Sequence, residues 1–399
     1  MYFKVFLFLA LFAAFSCHNQ SEHPTTNLSV PATIEKEITD TAGLLLAQRY
    51  DAYFSREFTA QQGLGAAVAI VKDGKIILQK GYGFRNAHTR DSVDTHTVFR
   101  IGSLSKGFTG VLTGILDANH ALSIHDKVVQ WLPEFRLKDK EQTKRVEIAH
   151  LLSHTTGLPY HAYTNLVEEG YSLDKIVREY FYQSPVCGKE GEFYAYQNAA
   201  FSLTGTIMAK ATGVPFAQLI QQKIFQPCNM LYASCDYASI DANPNKAVPH
   251  QWSGWNWVPG PIEDAYYNVA EAGGVNASIS DMAQWLLLLT GERPAVASTE
   301  VLDKVFEPIV KTGKERRILG HWIDRDSASY ALGWRILNKD GATIVYHSGY
   351  VNGFRGEIAF DRDLKTGICV LFNGQISLSS ACVPDFFEIA REILQTSGQ

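Results

Sequence analysis

The sequence lacks a long basic run, and its formal net charge is −5 at pH 7. Nucleic-acid binding needs a concentrated positive surface, so no nucleic-acid partner is expected. The chain also lacks low-complexity stretches and short-period repeats, which argues against a solenoid or a propeller. Of its 399 residues, 46% are hydrophobic and 19% are charged. This composition is that of an ordinary globular protein, and the length indicates about two domains.

Several catalytic and metal-binding patterns are also missing. No Gly-x-Ser-x-Gly pentapeptide occurs, which excludes a hydrolase with that nucleophile elbow. The six cysteines do not have the spacing of paired zinc ligands; Cys228 and Cys235 are either a local disulfide or free thiols. His150 and His154 are four residues apart, but Leu151 replaces the glutamate of a His-Glu-x-x-His site. We therefore predict no metal site and no cofactor, and interpret the two histidines as a buried pair hydrogen-bonded to loop carbonyls near a site.

The N-terminus has the features of an export signal. Lys4 is followed by the short apolar run VFLFLALFAAF and then by Ser16 and Cys17. The segment from Ala14 to Cys17 resembles a bacterial lipoprotein cleavage box, so residues 1–17 are predicted to be a signal peptide of the lipoprotein type. A plain signal peptide is the alternative. Cys17 would then carry a membrane-anchoring lipid, residues 18–38 would form a flexible tether, and the protein would be exported to the bacterial periplasm or anchored to the outer membrane.

The two ends of the remaining region, 39–399, have strand patterns. Two apolar runs flank Asp73-Gly74, a strong hairpin signal, and a second hairpin is predicted to turn between Asp361 and Gly367. The strand ATIVYHSG precedes that second hairpin, and VPDFFEIAREILQ has the apolar spacing of a terminal helix packed on a sheet. Strands are therefore expected from about 60–100 and 325–399.

The middle of the chain, from about 107–285, has mainly helical periodicity. One of its helices is SISDMAQWLLLLTG, for which Ser280 is the expected N-cap and Gly291 the expected stop. The predicted fold class is thus α+β: an antiparallel sheet flanked by helices, plus an all-helical domain inserted within it. A functional site is expected at the seam between them.

Ser103 and Lys106 share one face at the start of a predicted helix. A serine hydroxyl needs an adjacent base to become a nucleophile, and a lysine can be that base when burial or nearby positive charge lowers its pKa. The Ser-x-x-Lys pattern also occurs at Ser172 and Lys175. Because that second copy begins a charged helix, we interpret it as a solvated face.

Two further triplets carry suitable chemistry. Tyr196-Gln197-Asn198 combines a phenol that can relay a proton with a carboxamide that can hold a carbonyl group. Two other copies of Tyr-x-Asn, beginning at Tyr163 and Tyr266, are interpreted as loop polarity. His347-Ser348-Gly349 ends a predicted strand, and Gly349 would allow substrate to approach the backbone closely. Lys365-Thr366-Gly367 is a second copy of this pattern in a polar turn, so it should face solvent.

The order Ser-x-x-Lys, Tyr-x-Asn, then [Lys/His]-[Ser/Thr]-Gly resembles the serine β-lactamases and penicillin-binding peptidases, and most closely the class C β-lactamase-like branch. The resemblance extends from about residue 40 to the C-terminus. It implies the β-lactamase/transpeptidase fold with the site between sheet and helical domain. It also implies that Ser103 is the acylated nucleophile, that Lys106 and Tyr196 are the proton-transfer pair, and that Asn198 binds the substrate amide.

The same resemblance implies the remaining site residues. The backbone N–H groups of Ser103 and Tyr350 would form the oxyanion hole, and His161 would stand where the family often has a substrate-binding amide. His347, with Ser348 and Gly349, would bind substrate in the position where a lysine is common. Because histidine titrates near neutral pH, the charge that it offers a substrate carboxylate is expected to be conditional.

The predicted function is that of a serine hydrolase that acts through an acyl-serine on an amide or ester. The substrate would be a β-lactam, a D-amino-acid peptide of the cell wall, or a small ester. A histidine in the third motif is typical of peptidase and esterase-like members. The alternative is a surface-tethered penicillin-binding protein with little or no turnover.

Overall fold

Both ends of the chain contribute strands to one antiparallel sheet. The computed structural model describes residues 41–313, 315, 319, 321–322 and 325–397, so the predicted signal peptide, its Cys17 and the predicted tether lie outside the described residues. The eight strands of the sheet are β1 (Gly65–Lys72), β2 (Lys75–Gly83), β7 (Val310–Lys311), β8 (Ser327–Tyr330), β9 (Arg335–Lys339), β10 (Ala342–Val351), β11 (Phe354–Asp361) and β12 (Thr366–Phe372). Their order is β2-β1-β12-β11-β10-β9-β8-β7.

Both predicted hairpins are present. Asp73 and Gly74 have φ angles of 46° and 75°, which is the left-handed geometry that a two-residue turn between twisted strands requires. The second hairpin joins β11 and β12, and β12 in turn pairs with β1, placing Val68 opposite Val370. The N-terminal hairpin is therefore tied to the last strands of the chain.

The sheet is covered on both faces. In its central strands the side chains on both faces are therefore buried, not only every second side chain. In β1, Ala67 and Ala69 pack in the core shared with the helical region, whereas Val68 and Ile70 pack in a second core. That second core is closed by helix α1 (Thr41–Ala60) and by the C-terminal helix α14 (Leu378–Ser397). The prediction of a terminal helix on the sheet is confirmed.

The helical region lies between β2 and β7 in the sequence, and the sheet and this region belong to one structural unit. Its helices are α2 (Ser105–Ala118), α3 (Val128–Trp131), α4 (Lys140–Arg145), α5 (Ile148–Leu152), α6 (Thr164–Glu168), α7 (Leu173–Glu179), α8 (Asn198–Thr212), α9 (Phe216–Ile220), α10 (Tyr237–Ala242), α11 (Ala270–Gly273), α12 (Ile279–Leu289) and α13 (Thr299–Phe306). Two small sheets accompany them, formed by β3 (Val98–Arg100) with β6 (Asn276–Ser278) and by β4 (His250–Trp252) with β5 (Trp257–Pro259).

The N-cap predicted for α12 was wrong by two residues. Ser278, not Ser280, caps this helix, because its hydroxyl accepts from the Asp281 N–H while the Asp281 carboxylate accepts from the Ser278 N–H. The helix ends at Leu289, two residues before Gly291. In the part of the chain that the structure describes, no helix combines the length and apolar character needed to cross a membrane.

The edge of β10 positions the candidate site. Pairing between β9 and β10 stops at the pair Arg335–Tyr346, so from His347 onward no strand among the described residues pairs with this edge of β10. A short 3₁₀ turn, Gly102–Leu104, which leads directly into α2, packs there instead. The sheet and the first residues of α2 thus meet where the sequence predicted a seam.

Candidate active site

Ser103 lies in the 3₁₀ turn, and Lys106 is one turn further along in α2. Lys106 is completely buried, and its Nζ lies 3.2 Å from the Ser103 Oγ. The same Nζ lies 2.8 Å from the Oδ1 of Asn198 and 2.8 Å from the backbone oxygen of Ala272. The structure therefore brings together three of the residues predicted for the site.

A neutral amine can make these contacts. The oxygens of Asn198 and Ala272 only accept hydrogen bonds, so they take two N–H groups of Lys106. The third direction is then left for the Ser103 hydroxyl, which can donate to the nitrogen lone pair. Burial lowers the pKa of Lys106 well below its ordinary value, and the nearby positive charge of Arg335 lowers this pKa further. This geometry allows the Lys106 amine to accept the proton of the Ser103 hydroxyl.

Tyr196 completes this group as a protonated phenol. Its side chain is hydrogen-bonded to Ser103, and the Nζ of Lys106 lies 4.7 Å from the centre of its ring. Burial raises the pKa of Tyr196 above its ordinary value, which disfavours the phenolate. The sequence left open whether lysine or tyrosine acts as base, and these opposite pKa shifts favour Lys106.

Two backbone segments meet beside Ser103. A Cβ on Gly349 would lie 2.2 Å from the Ile101 oxygen and 3.1 Å from the Ser103 nitrogen, and a Cβ on Gly102 would lie 3.0 Å from the Tyr350 nitrogen. The two amides predicted for the oxyanion hole, those of Ser103 and Tyr350, therefore lie on adjoining segments. The expectation for Gly349 needs correction, because its lack of a side chain makes room for the Ile101–Ser103 backbone rather than for substrate.

His347 has a different environment from the one predicted. Its ring is buried, and its Nδ1 lies 2.7 Å from the Ser348 oxygen, which can only accept. Its Nε2 is therefore an acceptor in the neutral ring, and it faces the Tyr330 hydroxyl at 2.9 Å and the Arg335 Nη1 at 3.5 Å. Burial, followed by the charges of Arg335 and Lys106, lowers the pKa of His347 well below its ordinary value. The prediction that His347 carries a positive charge that depends on pH near neutrality is therefore wrong, because this low pKa favours the neutral ring.

The cation of the site is Arg335, which sequence reasoning missed. This residue is 1% exposed, and its guanidinium forms two hydrogen bonds of 3.2 Å with the carboxylate of Glu315. It also lies 5.6 Å from the centre of the Tyr196 ring. Arg335, on the neighbouring strand β9, therefore supplies the positive charge that was expected from His347.

A cavity of about 360 Å³ opens onto this group. Its wall includes Ser103, Tyr196 and Asn198 together with the predicted substrate-binding residues His161, Ser348 and Tyr350. His347 and Gly349 do not line it, whereas Arg335 and Arg355 do. Tyr266 and Glu168, joined by a 3.3 Å hydrogen bond, form part of the rim, so the interpretation of Tyr266 as simple loop polarity was also wrong.

The second copies of Ser-x-x-Lys and of the third motif lie away from the cavity, whereas Thr164 of the Tyr163 copy lines it. Ser172 caps α7 by accepting from the Lys175 N–H, and Lys175 contacts the ring of Tyr171. Lys365 is exposed in the turn between β11 and β12, as predicted. Tyr163 donates to the Tyr180 backbone oxygen. The position of each motif copy in the fold therefore distinguishes the copies that meet around Ser103 from the remaining ones.

The predicted bonds of His150 and His154 to loop carbonyls were wrong, because the Nδ1 atom of each ring accepts from a backbone N–H group; His150 is also only half-buried. The Nδ1 of His150 accepts from the Glu147 N–H, and the Nδ1 of His154 accepts from the Gln197 N–H. The other nitrogen of His154 contacts the Tyr330 hydroxyl at 3.2 Å. Within the described ranges, no group of three or more His, Cys, Asp or Glu side chains is arranged to hold a metal ion, and Cys228 and Cys235 are free thiols.

Comparison with known families agrees with this geometry. The model of the beta-lactamase family matches residues 50–388, which is most of the chain. The chain belongs to the beta-lactamase family. The predicted membership of the serine β-lactamase and penicillin-binding superfamily is therefore confirmed.

Curated relatives are distant. The chain is 26% identical over 330 residues to protein flp of Staphylococcus aureus strain N315, covering 81% of this chain and 61% of that protein. It is 25% identical over 346 residues to a beta-lactamase of Escherichia coli K12, covering 77% of this chain and 84% of that protein. The chain thus spans about three-fifths of the length of the Staphylococcus aureus relative.

Solved structures confirm the predicted fold class. An octameric penicillin-binding protein homologue from Pyrococcus abyssi superposes with a TM-score of 0.75 at 23% identity, covering 88% of this chain and 77% of that one. A class C beta lactamase from Rhodobacter sphaeroides superposes with a TM-score of 0.67 at 20% identity, covering 86% and 99% respectively. At these identities the likeness concerns the fold.

Proposed function

We propose that this member of the beta-lactamase family is a serine hydrolase that acts through an acyl-serine on amides or esters bearing a carboxylate. The observation that carries the proposal is the completely buried Lys106 amine 3.2 Å from the Ser103 Oγ, in surroundings that lower its pKa well below the ordinary value. A surface lysine near a serine would remain protonated and could not accept the proton. Here two acceptor oxygens orient the lone pair toward the nucleophile.

In the acylation step, the Ser103 Oγ forms a bond with the substrate carbonyl carbon as its proton passes to the Lys106 Nζ. The carbonyl oxygen becomes an oxyanion, for which the backbone N–H groups of Ser103 and Tyr350 are the donors. Collapse of this intermediate breaks the carbon–nitrogen or carbon–oxygen bond. The leaving atom takes a proton from the Tyr196 hydroxyl, which Lys106 replenishes.

Deacylation uses the same groups in reverse. A water molecule on the acyl carbonyl carbon gives its proton to the Lys106–Tyr196 pair, and the Ser103 oxygen leaves with a proton returned from that pair. Water thus adds across the scissile bond, releasing a carboxylic acid and a regenerated serine. No cofactor is needed for either half of the cycle.

Two guanidinium groups in the cavity wall are the proposed anchor of an anionic substrate. Arg335 and Arg355 line the cavity together with Ser348 and Glu168, and their ion-pair partners are Glu315 and Glu357. A carboxylate near the scissile bond would gain charge-assisted hydrogen bonds there, which are stronger than neutral ones. β-Lactams and D-amino-acid peptides carry such a carboxylate, so we place them ahead of neutral small esters. The Asn198 carboxamide uses its oxygen on Lys106, which leaves its NH₂ group for the substrate carbonyl.

The direct test compares Ser103→Ala with a matched control. Ser172→Ala removes the serine of the second Ser-x-x-Lys copy, which lies at the exposed start of α7. Hydrolysis of nitrocefin, a D-Ala-D-Ala peptide and a p-nitrophenyl ester should fall by orders of magnitude in Ser103→Ala and stay unchanged in Ser172→Ala. Unchanged hydrolysis in Ser103→Ala would refute the proposal.

A fluorescent penicillin separates turnover from simple acylation. Labelling of the wild type followed by release is expected for the proposed hydrolase. Stable labelling without release would support the alternative of a penicillin-binding protein with little turnover. Labelling of Ser103→Ala to the same extent as the wild type would contradict both.

We also propose that the protein is exported and anchored through Cys17. The support is the apolar run and the Cys17 context in the sequence. Cys17→Ser, expressed in a bacterial host, should move the protein from the membrane fraction to the soluble envelope fraction. Equal membrane association of wild type and Cys17→Ser would contradict the anchor without affecting the catalytic proposal.

A further inference from the structure

The hairpin formed by β4 and β5 has two faces with separate environments. Alternate side chains of a strand point to opposite faces, and here Trp252 and Trp257, which pair across the hairpin, lie together on one face. Gln251 and Val258, also a cross-strand pair, line a different cavity that shares Tyr350 with the catalytic one. Trp252 and Trp257 therefore lie on the opposite face of the hairpin from Gln251 and Val258, and neither tryptophan lines the catalytic cavity.

The two tryptophans form a rigid aromatic wall. Their ring centres are 5.3 Å apart with an interplanar angle of 64°. The indole N–H of Trp257 donates to the Gln62 backbone oxygen, and its ring lies so close to Gly374 that a Cβ there would be 2.7 Å away. Trp252 is 44% exposed. One ring is thus fixed by the fold, and the other is presented to solvent beside it.

These rings border a cavity of about 320 Å³ whose other polar groups are uncharged. The remaining wall consists of Gln61, Gln62, Gln375, Ser377 and one aliphatic side chain. The Gln61 side-chain oxygen is held by the Leu378 N–H. Within the described part of the chain, the carboxamides of Gln62 and Gln375 and the Ser377 hydroxyl form no hydrogen bond with other residues.

We propose that this cavity, which we call the tryptophan pocket, binds a neutral pyranose oligosaccharide. A pyranose ring has an apolar C–H face, which packs on tryptophan, and an edge of hydroxyl groups. Carboxamides are suited to that edge because each offers both donors and an acceptor. A charged ligand would find no counter-charge among the lining residues. A purely apolar ligand would remove water from two carboxamides and a hydroxyl. It would offer them no hydrogen bonds in place of those that they make to water.

The volume fits this ligand class, because it is at the lower end of the range of small-molecule sites and suits one or two sugar rings. The fixed Trp257 ring and the held Gln61 reduce the conformational entropy that binding would remove. The inference does not depend on the catalytic proposal, because Ser103, Tyr196 and Asn198 line a different cavity.

The test is a titration of the full chain with three soluble probes, chitotetraose, cellotetraose and maltotetraose, followed by ligand-observed NMR. At least one should bind at concentrations up to about 10 mM, and Trp252→Ala should weaken that binding about tenfold or more. Gln375→Ala should also weaken it. The matched control is Trp255→Ala, which removes the 92% exposed tryptophan at the hairpin tip, outside the pocket.

Three outcomes would overturn the proposal. They are the absence of binding by all three probes, equal binding by the wild type and Trp252→Ala, and loss of binding in Trp255→Ala but not in Trp252→Ala. Hydrolysis by the wild type and by Trp252→Ala should be equal, so failure of the sugar site and failure of the catalytic proposal remain distinguishable.

Discussion

The Nη1 of Arg335 lies 3.5 Å from the Nε2 of His347, and this neighbouring charge helps to keep the imidazole neutral. Under the proposed function, the charge for a substrate carboxylate would come from Arg335, which stays protonated at all ordinary pH values. The anchoring of such a substrate should not follow the titration of a histidine.

The first prediction concerns this anchoring. The ratio of kcat/KM for a carboxylate-bearing substrate to that of its methyl ester should stay constant between about pH 5.5 and 7.5. Arg335→Gln should lower that ratio about tenfold or more, whereas Arg335→Lys should retain part of it. A ratio that falls in the wild type as an imidazole loses its proton would return the anchoring role to His347.

The second prediction concerns the acidic limb of the pH–rate profile, measured with an uncharged ester. Activity requires the neutral Lys106 amine, so it should rise with pH through the pKa of that group. Because Arg335 helps to lower this pKa, Arg335→Gln should move the limb to higher pH. Arg335→Lys retains the positive charge and should leave the limb in place.

A control is needed for the partner of Arg335, because Glu315 is only 10% exposed and would be left without its ion pair. The double variant Arg335→Gln with Glu315→Gln removes both charges and should restore stability while keeping the shifted limb. A limb that does not move in either glutamine variant would show that Arg335 does not influence Lys106.

The third prediction concerns the junction between β10 and the 3₁₀ turn. Gly349→Ala places a methyl group 2.2 Å from the Ile101 oxygen, so the two segments must separate. Overpacking of this kind costs roughly 1–3 kcal/mol, and hydrolysis should fall further because the Ser103 and Tyr350 amides move apart. Gly260→Ala is the control, since its nearest neighbouring atom would be 3.9 Å away. Equal activity of the two alanine variants would contradict the proposed oxyanion hole.

The fourth prediction concerns stability and Glu271, which is next to the Ala272 carbonyl that holds Lys106. Burial raises the pKa of the Glu271 carboxyl to about 7. A carboxyl with a raised folded-state pKa binds its proton more tightly in the folded chain, so its ionisation destabilises the fold progressively as pH rises from about 4.5 to 7. The free energy of unfolding of Glu271→Gln, taken relative to the wild type, should therefore be greater at pH 8 than at pH 5. The expected increase is on the order of 1–2 kcal/mol.

Denaturant unfolding of both proteins at the two pH values measures this difference. An identical difference at pH 5 and pH 8 would show that Glu271 titrates as an ordinary exposed carboxyl. Glu300, which lies at the exposed N-terminal turn of α13, is a suitable control for glutamine substitution.

The sequence was sufficient to predict the sheet ends, the two hairpins and the terminal helix, because Asp73-Gly74 and the apolar periodicities are local signals. It also predicted that Ser103, Lys106, Tyr196 and Asn198 would meet, through the ordered motifs. Arg335 could not be found in this way. It reaches the site because its strand is paired with β10 in a register that sets it opposite Tyr346, and strand register between distant segments is not encoded by a local pattern.

The state of His347 was mispredicted for a related reason. Its ordinary pKa suggests a switch near neutral pH, but the actual pKa depends on burial and on neighbours from other elements, Arg335 and Lys106. Gly349 was likewise assigned to substrate access, whereas its neighbour is the Ile101 backbone. Both corrections come from tertiary contacts between residues that are far apart in the sequence.

The ionisation of Lys106 is the point on which the proposed chemistry depends. It can be followed directly by NMR on protein labelled with ¹³C and ¹⁵N at the lysine ε positions, with the Lys106 signal assigned by its absence in Lys106→Arg. A lysine signal that titrates well below the ordinary pKa of about 10.4, and is missing in the variant, is the predicted result. A Lys106 signal that titrates together with the surface lysines would contradict it, because the Ser103 hydroxyl would then have no base.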